Sequence, residues 1–210
     1  MRHAFVPVHK LKSLLFAAWL AGTSGCAFSA VNYISSGGGL MLHMAGDDAV
    51  LAPWGVQSPV QGFSGFGQVH LAGRCLTGRQ AGQQLRWEGC RGGDQAQVWS
   101  LSRGTLVNQQ ALCAQADAGG GQPHANVAGV ACSGDAGQRW NSYSVQSAQR
   151  YAARITDPRV RAAFVRTARS AGPGTFISVT TGLPLPASPT PPEGSVIATG
   201  GANVIAQSGQ

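Results

Sequence analysis

Charge is scarce in this chain: 11% of its 210 residues are Asp, Glu, Lys or Arg, and the acidic ones number eight. Long solvated helices carry far more charge than that, so an all-helical bundle is excluded. A membrane-spanning helix is excluded as well. Spanning takes roughly 20 apolar residues, and the run from Leu14 to Ala21 falls far short. Catalytic signatures are missing: there is no Gly-x-Ser-x-Gly elbow, and His43, His70 and His124 are scattered. Most of the eight acidic residues fall in predicted turns, which leaves little for a paired-carboxylate site, so an enzyme is not expected. Neither Cys-x-x-Cys nor a paired histidine spacing occurs, and no metal or other cofactor is expected.

Glycine is abundant, at 30 residues. It weakens helix interiors by about 1 kcal/mol and suits tight turns, which points to an all-β body of short strands. The net charge of +7 suggests a nucleic-acid partner until it is counted by segment. Residues 31–147 carry six arginines against Asp47, Asp48, Glu88, Asp94, Asp117 and Asp135, a balance of zero. The excess lies in the flanks, with Arg2, Lys10 and Lys12 before this segment and six arginines against Asp157 and Glu193 after it.

The first 30 residues have the three-part grammar of a secretory signal: a basic stretch through Lys12, the apolar run, then small residues. Thr23-Ser24-Gly25-Cys26 resembles a bacterial lipoprotein box, with Thr23 where leucine is usual. Two routes fit, acylation of Cys26 or cleavage after Ser29 with loss of that cysteine. Either way the expected location is outside the cytoplasm: secreted, periplasmic or as an outer-membrane lipoprotein. A nucleic-acid partner is not expected there, and membrane contact is expected only through the acyl chain.

Between residues 31 and 147 one pattern recurs. Gln61-Gly62-Phe63, Gln97-Val98-Trp99 and Gln138-Arg139-Trp140 each place a glutamine two residues before a large aromatic, at steps of 36 and 41 residues. A spacing of that kind marks a structural unit in three copies. Setting Cys26 aside leaves four cysteines, and export makes disulfides the default. The repeat selects Cys75 with Cys90 and Cys113 with Cys132, since each pair then occupies equivalent places in copies two and three. The first copy has Leu40-Met41-Leu42 and Trp54 at those places, so packing is expected to close it.

These features resemble the ricin-B-type β-trefoil lectins, over about Ser35 to Ser144. The resemblance implies that Phe63, Trp99 and Trp140 are core and that Gln61, Gln97 and Gln138 tie the turns of each repeat. It also implies a glycan or glycoprotein ligand. Sugar hydroxyls donate and accept, so a site combines a carboxylate or amide with an aromatic ring. The family's aspartate places hold Thr77 and Gln115 here, and its asparagine places hold Val60, Ala96 and Gly137. Copy two offers the best remaining set: Trp87 as the ring, with Asp94 and Thr77.

The degenerate sites, the lipoprotein-box resemblance and the added segments are similar to the A and C subunits of cytolethal distending toxins. That resemblance implies an exposed aromatic patch on the first repeat, with Trp54 and Phe66 as candidates, and toxin partner subunits docking through the tail. A protein-interaction subunit with no working sugar site is the alternative. After the trefoil, Asp157-Pro158 starts a basic amphipathic helix within 148–172, with Arg159, Arg161, Arg166 and Arg169 on its polar side. Residues 173–210 read as a proline-rich linker and an extended tail. There Val196-Ile197-Ala198 returns as Val204-Ile205-Ala206, either a hairpin or strands that stay disordered until a partner's sheet accepts them.

Overall fold

The computed structural model describes residues 32–54 and 63–208. The export signal, Cys26 and Gln61 lie outside them.

Each repeat supplies one set of short antiparallel strands. The first comprises β1 (Asn32–Ser36), β2 (Met41–Ala45), β3 (Asp48–Ala52) and β4 (Phe66–Gln68). The second comprises β5 (His70–Leu71), β6 (Arg74–Thr77), β7 (Gln83–Gln84), β8 (Arg86–Gly89) and β9 (Val98–Ser102). The third comprises β10 (Thr105–Asn108), β11 (Leu112–Ala116), β12 (Val127–Ala131) and β13 (Trp140–Ser147). The same order of pairing recurs three times, as β1–β2–β3, β5–β6–β8 and β10–β11–β12. The last strand of the second repeat pairs with the first of the third, Leu101 opposite Leu106. The last strand of the third returns to the first repeat, Ser142 opposite Ile34, and closes the ring. This is a β-trefoil.

Alternation along the strands builds its core, because successive side chains point to opposite faces. Phe63, Trp99 and Trp140, one from each repeat, are buried together with Leu40, Leu42, Leu51, Leu76, Leu85 and Trp87. The indole of Trp99 donates to Leu76 O and that of Trp140 to Ala114 O, both at 2.8 Å. Leu76 and Ala114 each follow the first cysteine of their repeat, so the two bonds are copies of each other. Cys75 is bonded to Cys90 and Cys113 to Cys132, with Cα separations of 5.0 and 5.1 Å. The cysteine-free first repeat is closed by Trp54, whose Nε1 donates to Gly39 O at 2.7 Å. Its ring packs on Tyr33 and, edge to face, on Tyr143.

Beyond the trefoil come α1 (Ala148–Ala152), α2 (Pro158–Ser170), β14 (Phe176–Ser178), β15 (Ser195–Gly200) and β16 (Asn203–Gln207). Asp157 caps α2 by accepting from Arg159 N and Val160 N. The last two strands are neither disordered nor reserved for another chain's sheet. β15 and β16 form a hairpin, Ile197 opposite Ile205, and β16 pairs along β13 from Tyr143–Gln207 to Ser147–Asn203. The trefoil's own last strand is the template, and its free edge accounts for the difference. Helices α1 and α2 cover one face of this extension, where Phe164 and Ala168 meet Ile177, Val196, Ala198 and Val204. Trp54, Met41, Phe176, Ile197 and Ile205 fill the opposite face. Among the described residues no helix is long and apolar enough to cross a membrane.

Candidate functional site

The second repeat carries the residues that the sequence nominates for a ligand, and strand geometry sorts them. β6 and β8 pair with Leu76 opposite Trp87 and Cys75 opposite Glu88. Leu76 belongs to the core, so Trp87 faces inward beside it and is fully buried. Its Nε1 donates to His43 O at 3.1 Å. A ring in that position has no face to offer a sugar, which corrects the expected stacking role. The neighbouring residue, Glu88, takes the outward direction.

Thr77 is also withdrawn from solvent, at 2% exposure. Its hydroxyl donates to Cys75 O and accepts from Gln97 Nε2. Gln97 is buried too, and it donates further to Gly89 O while its Oε1 accepts from Arg91 N. The third repeat reproduces this arrangement: Gln138 Nε2 donates to Gln115 and to Ala131 O, and Oε1 accepts from Ser133 N. At both aspartate places, therefore, the side chain serves the motif glutamine. Gly137, at the third repeat's asparagine place, has no room for a side chain, since a Cβ there would lie 2.5 Å from Ala116 O.

Asp94 is the nominated residue that reaches the surface. Its Oδ1 accepts from Ala96 N and caps the turn Gln95–Gln97. Its Oδ2 accepts from Arg79 Nη2 at 3.1 Å, and the same guanidinium donates to Glu88 Oε2 at 2.7 Å. Partial desolvation pushes the Asp94 carboxyl up, but the Ala96 N–H and Arg79 outweigh it and hold the group below its ordinary value. The bond to Glu88 in turn holds Arg79 firmly protonated. Beside this triad lies an open depression of about 530 Å³ lined by the charged groups of Asp47, Arg74, Arg79, Arg86, Glu88 and Arg91, and by Gly89 and Trp87, the latter without exposed surface. Arg74 donates to Asp47 and to Trp87 O. The lining offers guanidinium donors and carboxylate acceptors side by side, the two capacities a polyhydroxylated ligand needs.

Asp94 was nominated by sequence; Arg79, Glu88, Arg74, Arg86 and Arg91 were not. The crowding of four arginines between residues 74 and 91 is the signal that could have found them. Asp47 comes from the hairpin turn of the first repeat, and only the fold brings it here.

The proposed aromatic patch does not form. Trp54 is 7% exposed within its cluster, whereas Phe66 is 63% exposed on the other sheet. His70 lies 3.7 Å from the sulfurs of Cys75 and Cys90. Those sulfurs are bonded to each other, so the group supplies no thiolate for a metal.

No protein-family profile and no curated protein matches the chain. Solved structures do. The agglutinin from Abrus precatorius is similar over 53% of this chain and 47% of its own, at 18% identity and a TM-score of 0.46. A non-toxic homologue of type II RIPs from Momordica charantia, in complex with α-methyl-D-galactoside, is similar over 54% and 48%, at 22% identity and 0.44. The designed threefold-symmetric protein ThreeFoil is similar over 53% and 96%, at 18% identity and 0.42. The chain spans about half the length of the Abrus and Momordica proteins that it matches. The C-half of an earthworm R-type lectin, in complex with GalNAc, is similar over 55% of this chain and 98% of its own, at 12% identity and a TM-score of 0.40.

Proposed function

We propose that the protein is an exported, ricin-type lectin-like protein that binds carbohydrate on cell surfaces through the second-repeat depression. The observation that carries this reading is the Glu88–Arg79–Asp94 triad, of which Arg79 and Glu88 line that open, polar depression. With Trp87 inside the core, recognition comes from hydrogen bonds and charge, not from ring stacking. The reading includes no catalytic step. Screening the folded protein on a glycan array, followed by titration calorimetry of the hits against Arg79→Gln, tests it. Binding that falls at least tenfold in the variant supports the site, and an array without a signal overturns the reading.

A second reading is favoured by a different observation: Trp87 and Thr77 serve the interior, and β13 joins the trefoil to an added layer of helices and strands. On it the protein is the binding or delivery subunit of a bacterial toxin or surface complex, holding a protein partner with degenerate lectin sites. A nuclease reading frame beside this one in the genome, with co-purification of its product, supports that reading.

A further inference from the structure

The six arginines of the C-terminal segment are distributed unlike those of the trefoil. Each ion pair among the described residues involves Arg74, Arg79 or Arg86. Arg150, Arg159, Arg166 and Arg169 have none. Asp157 is the acidic residue of segment 148–172, and its carboxylate is engaged in capping α2.

Helix geometry aligns these charges. Phe164 and Ala168 bury one face of α2 against the sheet. On the opposite face stand Arg159, Ala162, Arg166 and Arg169, all exposed, at intervals of three and four residues that keep them on one line. At 1.5 Å per residue the stripe is about 15 Å long. Arg161 is set apart, since its guanidinium donates to Ile155 O and Thr156 O.

An exposed apolar residue lies beside α2 as well. Gly182 lies against α2 where a Cβ would meet Val160 O at 2.6 Å and Phe164 N at 2.5 Å, and its carbonyl accepts from Thr167 Oγ1. The next residue, Leu183, is 56% exposed. Beside α2 an open groove of about 340 Å³ has a mixed lining, Tyr151, Ile155, Val160 and Val179 with Thr156, Asp157 and Thr180, and Arg154 lies over the Tyr151 ring.

We propose that this helical face docks on an anionic lipid bilayer, with the arginine stripe on headgroup phosphates and Leu183 entering the interfacial layer. Unpaired guanidiniums match phosphate oxygens in charge and geometry. Leu183 decides between polyanions, because an exposed aliphatic side chain gains from entering the interfacial layer of a lipid and gains little on a hydrated, sulfated or carboxylated polysaccharide. The apolar face of α2 is turned into the protein, so the contact is peripheral, unlike that of an inserting amphipathic helix. This surface is separate from the second-repeat depression, and its test is separate too.

The test uses the exported protein carrying Cys26→Ser, so that no acyl chain contributes. Co-sedimentation is measured with vesicles of phosphatidylcholine, alone or with phosphatidylglycerol. The protein is expected to sediment with the anionic vesicles at low salt and to be released at high salt. Replacing Arg159, Arg166 and Arg169 together by Gln should lower partitioning about 100-fold, and Leu183→Ser about tenfold, with unchanged near-ultraviolet circular dichroism. Arg79→Gln should leave it unchanged. Equal binding to neutral vesicles, full binding by the triple variant, or retention on heparin without any on vesicles would each overturn the proposal.

Discussion

The side-chain amide of Gln97 donates to the hydroxyl of Thr77 at 3.0 Å, inside the protein and out of reach of any ligand. The third repeat repeats the contact between Gln138 and Gln115. Gln97 and Gln138 thus hold the start of their repeats to the turn that follows the second cysteine. Gln97→Ala leaves the Gly89 carbonyl and the Arg91 N–H without their partner. It should cost about 3 kcal/mol of stability in a denaturant titration. Thr77→Val removes one partner and should cost about 1 kcal/mol.

Trp87 separates the interior from the ligand site. Trp87→Ala should destabilise the trefoil by about 3–5 kcal/mol through the cavity it leaves. Trp87→Phe fills most of that space and forfeits the bond to His43 O. It should lower the melting temperature while glycan affinity stays that of the parent. Loss of affinity at an unchanged melting temperature would return Trp87 to the ligand site.

The two disulfides close loops with sequence separations of 15 and 19. Replacing either pair by serine should cost about 3 kcal/mol in the chain-entropy model, with the two losses similar because the repeats are equivalent. Unfolding curves of the two double variants, compared at equal protein concentration, check this.

His43 gives the fold a pH dependence. Burial, reinforced by His124, pushes its pKa below the ordinary value of 6.5, and its Nδ1 is buried without a partner. The unfolded chain therefore takes up a proton at a pH where the native chain does not. Stability from this residue is complete above pH 6.5 and declines as pH falls below it, down to the native pKa. His43→Gln should flatten that part of the melting-temperature profile between neutral and mildly acidic pH.

The interior of the trefoil was legible because it repeats. Phe63, Trp99 and Trp140 and the two cysteine pairs recur in register, and three copies of one pattern outweigh the weak preference of any single strand. The surface was much less so. Trp87 and Glu88 are neighbours in sequence, yet strand alternation sends one into the core and the other to the rim, so a one-residue displacement exchanges their roles. The nearness of Asp47 to Arg74 depends on pairing between repeats, which has no local signature. In the C-terminal segment the capping of α2 by Asp157 was readable, whereas the docking of β16 on β13 depended on an edge that only the closed trefoil creates.

The central claim is that carbohydrate binds at the second-repeat depression through Arg79 and its two carboxylate partners. Titration calorimetry of an array-selected glycan against the parent protein and Arg79→Gln tests it most directly. The prediction is a measurable affinity in the parent that falls at least tenfold in Arg79→Gln, with the melting temperature nearly unchanged, as expected for an exposed ion pair. Equal affinities in the two proteins would contradict it.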